Sequence, residues 1–222
     1  MTQQSRADDL ARLARLDCCA VSDALDALGI SGLAQGLSAF STQEKVTGRV
    51  ITVQLCEDDG RASKRHLGTS AVDAAGPDDV IVVAHGGRLD VAGWGGILAL
   101  GAKRQGVRGV VIHGACRDID EAREMGLPVY ASGTTARTAR GRVIEQDWNV
   151  QVTIADVTVS PADLVIADGS GVAFIPSGRV EEVLERAEMI VRKEQLMADA
   201  VRSGKPLVEV MGADYETMLK KG

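Results

Sequence analysis

The sequence predicts an α/β protein with helical segments at both ends, and three observations lead there. Two apolar runs, Val80–Ala84 and Gly109–His113, each end in a polar or Gly-containing loop that leads into a helical pattern. Apolar residues make up 45% of the 222-residue chain but aromatics only 3%, so the core has to be assembled from Val, Ala, Leu and Ile. The 25 glycines provide for many tight turns and close backbone approaches.

The elements follow in order. Leu10, Leu13 and Leu16 recur at helical spacing, so residues 6–16 read as an amphipathic helix. A second helix covers Val21–Leu28 and stops at Gly29. Gly48–Leu55 alternates as a strand, and His66–Ala75 reads as a helix closed by Gly76-Pro77. The buried strand Val80–Ala84 runs into the loop HGGRLDVAGWGG, after which Ile97–Gln105 forms a helix of small residues. Gly109–His113 is the second buried strand, followed by a short helix over Asp118–Met125 and a strand at Val129–Ala131. Four strands are expected next, at Val150–Ile154, Asp156–Val159, Leu164–Ala167 and Val172–Ile175, with turns at Pro161, Asp168-Gly169 and Pro176. A long charged helix covers Val180–Val201 and a short one Tyr215–Leu219. No repeat or linker interrupts the chain. Residues 1–222 therefore read as one domain with helical arms at about 1–30 and 178–222.

Composition removes several classes of function. The net charge is −6 with both signs interleaved, which offers no basic stripe for nucleic acid. No apolar run reaches membrane-spanning length, and the charged N-terminal segment MTQQSRADDLARLARLD is unlike a signal peptide, so a cytoplasmic location is expected. Cys18, Cys19, Cys56 and Cys116 match neither a zinc knuckle nor a redox CxxC pair and read as reduced thiols.

Function is expected where the two strand–loop–helix units end, because α/β folds gather ligands at the carboxyl ends of their strands. Gly93-Trp94-Gly95-Gly96 opens a helix whose first amides lack intrahelical partners. It is either an anion seat or an ordinary Gly-rich turn. Arg117-Asp118 follows the second strand. Arg offers a planar fork for a carboxylate and Asp a hard oxygen for Mg²⁺ or Mn²⁺; equally, Asp118 could simply cap the next helix.

The run GWGGILALGAKRQGVRGVVIHGACRDIDEAREMGLPVYASGTTARTARGRV resembles a family that unites two groups. One is the class II pyruvate aldolases acting on 4-hydroxy-4-methyl-2-oxoglutarate and 4-carboxy-4-hydroxy-2-oxoadipate. The other is the RraA-like proteins, named for a regulator of ribonuclease E. AVSDALDALGI and ADLVIADGSGVAFIP extend the resemblance over most of the chain. It implies a swivelling β/β/α domain (an αββα sandwich), a homotrimer or homohexamer, and a site at the subunit interface. It further implies that Asp118 holds a divalent metal, largely through water, and that Arg117 and the amides of Gly95, Gly96, Ile97 and Leu98 bind the pyruvyl acid. Glu194 of a neighbouring copy, with Glu188 as the other candidate, would support the metal's water shell; a solvated helix charge is the plain alternative.

The chain departs from the aldolase pattern at Gly96, where those enzymes carry an Asp that orients a water for proton transfer. Acid–base work is therefore expected at His66 or Asp90, with Arg88 either meeting a second substrate carboxylate or pairing with Asp90. His85 and His113 also fall near the loops, as candidates or as capping and core histidines. The reading is a metal-dependent carbon–carbon lyase acting on a 2-oxo acid or hydroxy-oxo-dicarboxylic acid through a pyruvate-type enolate, by retro-aldol cleavage or decarboxylation. The alternatives are a non-catalytic regulator that binds a ribonuclease, or a metal enzyme of another reaction type on the same scaffold.

Overall fold

The computed structural model describes residues 3–61 and 65–212. The expected helix at Tyr215–Leu219 lies outside the described residues. The chain opens with α1 (Gln3–Leu13) and α2 (Cys18–Ala27), then β1 (Leu33–Ala34), β2 (Ser38–Ala39) and the long β3 (Val46–Glu57). Next come α3 (Thr69–Ala74), β4 (Asp79–Ala84), β5 (Ala92–Trp94), α4 (Gly96–Arg104), β6 (Gly109–Cys116), α5 (Ile119–Glu124) and β7 (Val129–Thr134). The remainder is β8 (Val143–Trp148), β9 (Val152–Ile154), β10 (Val157–Val159), β11 (Leu164–Asp168), β12 (Gly171–Ile175), α6 (Val180–Arg202) and α7 (Leu207–Val210).

One mixed sheet runs in the order β1-β12-β11-β3-β4-β6-β7-β2, with β5 paired to β6 and β8 to β3. β3, β4, β6 and β7 are mutually parallel, while β11 joins β3 antiparallel. Side chains then sort by strand period. On β4, Ile81 and Val83 join the core under α3, α4 and α5; Val80, Val82 and Ala84 face the other way. On β12, Val172 and Phe174 point into that same second core, while Ala173 and Ile175 pack on α1, α2 and α6. The two halves of the sheet therefore face each other, each backed by helices: α, β, β, α. Strands buried on both faces read as unbroken apolar runs, which is why Val80–Ala84 and Gly109–His113 were legible as strands.

β6 continues past His113 to Cys116, with Gly114 at φ 149° and Arg88 accepting from the Ala115 amide at 2.7 Å. A side chain at Gly114 would strike His85 at 2.7 Å, so the strand passes the HGGRLD loop only because glycine stands there. β8 was not anticipated: its sequence VIEQDW alternates too weakly, and its pairing with β3 decides it.

Ile112 is fully buried in the core beneath the site helices. Ile112→Ala should cost about 2–5 kcal/mol, read as a lowered denaturant midpoint with an unchanged slope.

Candidate functional site

Parallel pairing of β4 with β6, Ala84 opposite His113, brings both polar loops to one edge of the sheet. A cavity of about 240 Å³ opens there, lined by His66 and Leu67, the Gly93–Leu98 turn, Arg117, Asp118 and the Thr138–Arg140 loop.

Asp118 is held in a left-handed backbone conformation (φ 58°, ψ 38°), which Asp tolerates better than most residues. It stands at the cap position of α5 but does not cap that helix with its side chain. Instead its Oδ2 accepts from the Gly96 amide of α4 at 2.9 Å and from Arg117 Nε at 3.0 Å. Burial pushes the Asp118 carboxyl up, but the Gly96 amide and Arg117 outweigh it and hold it below the ordinary aspartate value, so the group stays ionised. The amides of Ile97 and Leu98 remain as first-turn donors with no intrahelical acceptor.

Space, not backbone freedom, explains the paired glycines. Gly95 is extended (φ −159°), yet a Cβ there would lie 2.9 Å from Asp118 Oδ2 and 3.2 Å from Arg117 Cγ. A Cβ on Gly96 would run into the Glu121 carboxylate and come within 3.3 Å of Asp118 Cβ. Glu121, one helical turn beyond Asp118, thus fills the notch that glycine leaves. Sequence reasoning missed it, although its i,i+3 spacing from Asp118 was the available signal.

The other expected residues divide. His66 is exposed on the cavity wall. Its turn is clamped from below by Glu145, whose side chain is only 2% exposed and whose Oε2 accepts from the Gly68 amide at 2.7 Å. Arg88 and Asp90 pair with each other through two hydrogen bonds, 3.0 and 2.9 Å, and neither lines the cavity. Arg88 therefore resolves toward its ion-pair reading. His85 and His113 are structural. A His85 ring nitrogen (Nε2) bonds the Val91 carbonyl at 2.9 Å, and Nδ1 of His113 accepts from the Ala155 amide at 3.1 Å. Within one chain the main neighbours of α6 are α2, α1 and α7. Glu188 is forked by Arg12 of α1 at 2.7 and 3.2 Å. Glu194 keeps much of its surface in solvent, and partial desolvation of its carboxyl together with the nearby Asp17 and Asp23 raises it above the ordinary glutamate value. Among the described residues no group of three or more His, Cys, Asp and Glu side chains could hold a metal ion. Asp118 with Glu121 still suits a hard cation of the kind that keeps water or substrate oxygens for most of its shell.

This combination of an αββα sandwich with an Arg-Asp pair facing a glycine-opened helix defines a class of small α/β proteins. The family model RraA-like (Aldolase/RraA) matches residues 18–174, and the chain belongs to that family. A Halalkalibacterium halodurans protein that carries the provisional name 4-hydroxy-4-methyl-2-oxoglutarate aldolase is 31% identical over 83% of this chain and 84% of its own. DlpA of Legionella pneumophila is 31% identical over 93% of this chain, which spans only 33% of that protein's length. A solved structure of an uncharacterized Pseudomonas syringae protein superposes with TM-score 0.83 at 30% identity, covering 93% of this chain and 98% of that one. Streptomyces coelicolor RraAS2, described as an unusual member of the RNase ES inhibitor RraA family, gives TM-score 0.76 at 26% identity over 85% and 94%. No described helix is long and apolar enough to cross a membrane.

Burial lowers both His85 and His113 below the ordinary histidine value of 6.5, so both are held neutral in the fold. Below pH 6.5 the unfolded chain takes up protons that the folded one resists. Their contribution is complete above pH 6.5 and is lost as pH falls towards their folded values. Melting temperature measured between pH 8 and pH 5 should decline in the acid half of that range.

Proposed function

We propose that the protein is a divalent-metal-dependent carbon–carbon lyase acting on a 2-oxo acid. The observation that carries this reading is the placement of the Arg117 guanidinium and the Asp118 carboxylate against the opening turn of α4 in one cavity. Names of family relatives support it.

In this reading the acid end of the substrate takes the Arg117 fork and the first-turn amides of Ile97 and Leu98. The Gly96 amide serves Asp118 instead, fixing that carboxylate. Asp118, with Glu121 beside it, would hold Mg²⁺ or Mn²⁺, and such an ion supplies electrophilic stabilisation of negative charge on a keto oxygen. Arg117 adds its own positive charge where enolate charge develops. As the C–C bond breaks, its electron pair passes into the enolate, and a proton must leave the substrate hydroxyl and later reach the enolate carbon. In this reading His66, which lines the cavity, exchanges that proton. Retro-aldol cleavage and decarboxylation share this enolate.

A panel of 2-oxo acids assayed for pyruvate release with and without Mg²⁺ or Mn²⁺ tests the reading. Activity should require metal, and Asp118→Ala should abolish it with the fold intact by circular dichroism. Activity that survives saturating chelator contradicts the metal requirement. A silent panel, joined to absent oxalate binding, shifts the weight to binding of a ribonuclease.

Copies of the chain are further proposed to associate in threes or multiples of three. Ile97 and Leu100 beside the cavity, and Leu196, Leu207 and Val208 on α6 and α7, are all more than half exposed. Association would cover them and bring Glu194 of one copy toward the cavity of the next. Light scattering at micromolar concentration should give a trimer or hexamer mass; a clean monomer refutes it.

A further inference from the structure

β8 carries a carboxylate where its surroundings call for an apolar side chain. Glu145 lies opposite Leu55 of β3 and two residues from Val143, and both of these belong to the core beneath α3, α4 and α5. The two-residue period of a strand turns Glu145 to the same face, and its side chain is only 2% exposed. We propose that Glu145 is a positioning residue of the site: through the Gly68 amide it sets where the His66 imidazole stands relative to the Arg117–Asp118 pair. The proposal rests on the reading of His66 as the group that exchanges the substrate's proton, and it deepens that reading by naming what holds His66 in place.

A buried carboxylate is unfavourable unless hydrogen bonds and a counter-charge offset its desolvation. Arg65 offsets little of it: Nη1 stands 3.7 Å from Oε1, on a side chain 44% exposed to screening solvent. The close contact is that of Oε2 with the Gly68 amide, 2.7 Å, across 77 residues of sequence. An apolar side chain would suit this place on β8 but would leave that amide without its acceptor. What the amide fixes is the turn that carries His66. The Thr69 amide and hydroxyl both donate to the His66 carbonyl, at 3.2 and 2.8 Å, so the four residues from 66 to 69 move as a unit. Gly68 is also where this turn meets the glycine loop, since a Cβ there would come within 3.3 Å of the Trp94 ring. The Trp94 carbonyl in turn accepts from the Arg117 amide at 3.0 Å. A continuous path therefore runs from the Glu145 carboxylate through Gly68 and Trp94 to Arg117, and the His66 turn hangs from it. With the acceptor gone the turn is free to shift along the cavity wall, while Asp118 keeps its own bonds to Gly96 and Arg117.

Wild type, Glu145→Gln and Glu145→Leu are compared in the test. Gln keeps a side-chain oxygen for the Gly68 amide, whereas Leu suits the core but offers no acceptor. Oxalate with Mg²⁺, titrated by calorimetry, should bind all three alike. The His66 ring signal in proton NMR, identified by its loss in His66→Gln, should shift on adding oxalate and Mg²⁺ in wild type and Glu145→Gln but not in Glu145→Leu. With the 2-oxo acid that releases pyruvate, Glu145→Leu should lower kcat by about tenfold to a hundredfold at unchanged KM, the loss expected of a misplaced group, and Glu145→Gln should restore most of it. An unchanged His66 response in Glu145→Leu overturns the proposal, and so does an equal loss of it in both variants. Oxalate affinity that falls together with the His66 response also overturns it, because Glu145 would then support the whole cavity. Should Glu145→Leu not fold, Glu145→Met takes its place with the same expectations, and failure of both to fold marks Glu145 as a structural residue and overturns the proposal. A 2-oxo-acid panel that releases no pyruvate counts against the lyase reading, and the His66 signal decides the positioning role in either case. Wild-type protein that binds no oxalate overturns the head reading and this proposal together.

Discussion

The hydrogen bond from the Gly96 amide to Asp118 Oδ2 is the joint on which the site depends. It ties the start of α4 to the end of β6, two segments that the chain brings together only through the parallel pairing of β4 with β6. Asp118 reaches across because its backbone turns left-handed immediately after the strand. The same oxygen takes Arg117 Nε, so one carboxylate orients both the helix start and the guanidinium. Neither neighbouring glycine tolerates a side chain without displacing Asp118, Arg117 or Glu121. The Gly-Gly pair and the Arg-Asp pair are thus one steric unit, separated by twenty residues of sequence.

That unit also explains a role that spacing left open. An Asp before a short helix ordinarily caps it. Here α5 has no side-chain cap and the carboxylate serves α4 instead. The resulting ionised, hydrogen-bonded carboxylate is the form that a hard cation takes up without first losing a proton.

Much of the fold was legible because both faces of the central strands are buried, leaving runs such as VIVVA that few alternatives explain. Arg117 and Asp118 were named as site candidates because they follow a buried strand, and His66 as a histidine at the start of the helix before the Gly-rich loop. What escaped depended on contacts distant in sequence. Glu145 sits on a polar edge strand, and its burial follows from holding Gly68, 77 residues away. Arg140 lies in a loop of Thr, Ala and Arg with no periodicity at all, and only the fold brings it to the cavity wall. Arg88 and Asp90 are close in sequence to the glycine loop, but at i,i+2 on an exposed turn they pair with each other and do not line the cavity.

The layout separates two demands. The Arg117–Asp118 pair stands on the parallel centre of the sheet, where β4 and β6 are buried on both faces and the backbone is least free to shift. The cavity wall that carries His66 and Leu67 stands instead on the sheet margin, where β8 joins only β3. There the buried Glu145 carboxylate supplies the rigidity that packing gives at the centre. It holds the Gly68 amide, and Gly68, at φ 71°, lies against Trp94, where a Cβ would come within 3.3 Å of the ring. The turn that carries His66 is thereby pinned at Gly68, by a charge on one side and by an aromatic from the glycine loop on the other. A change in Leu67 or Arg140 would reshape that wall of the cavity without touching the Asp118 joint. A change at Gly95, Gly96 or Asp118 would disturb the head site whatever the wall does. The cavity wall and the Asp118 joint can therefore vary independently in this fold, because they rest on different strands and are fixed by different forces.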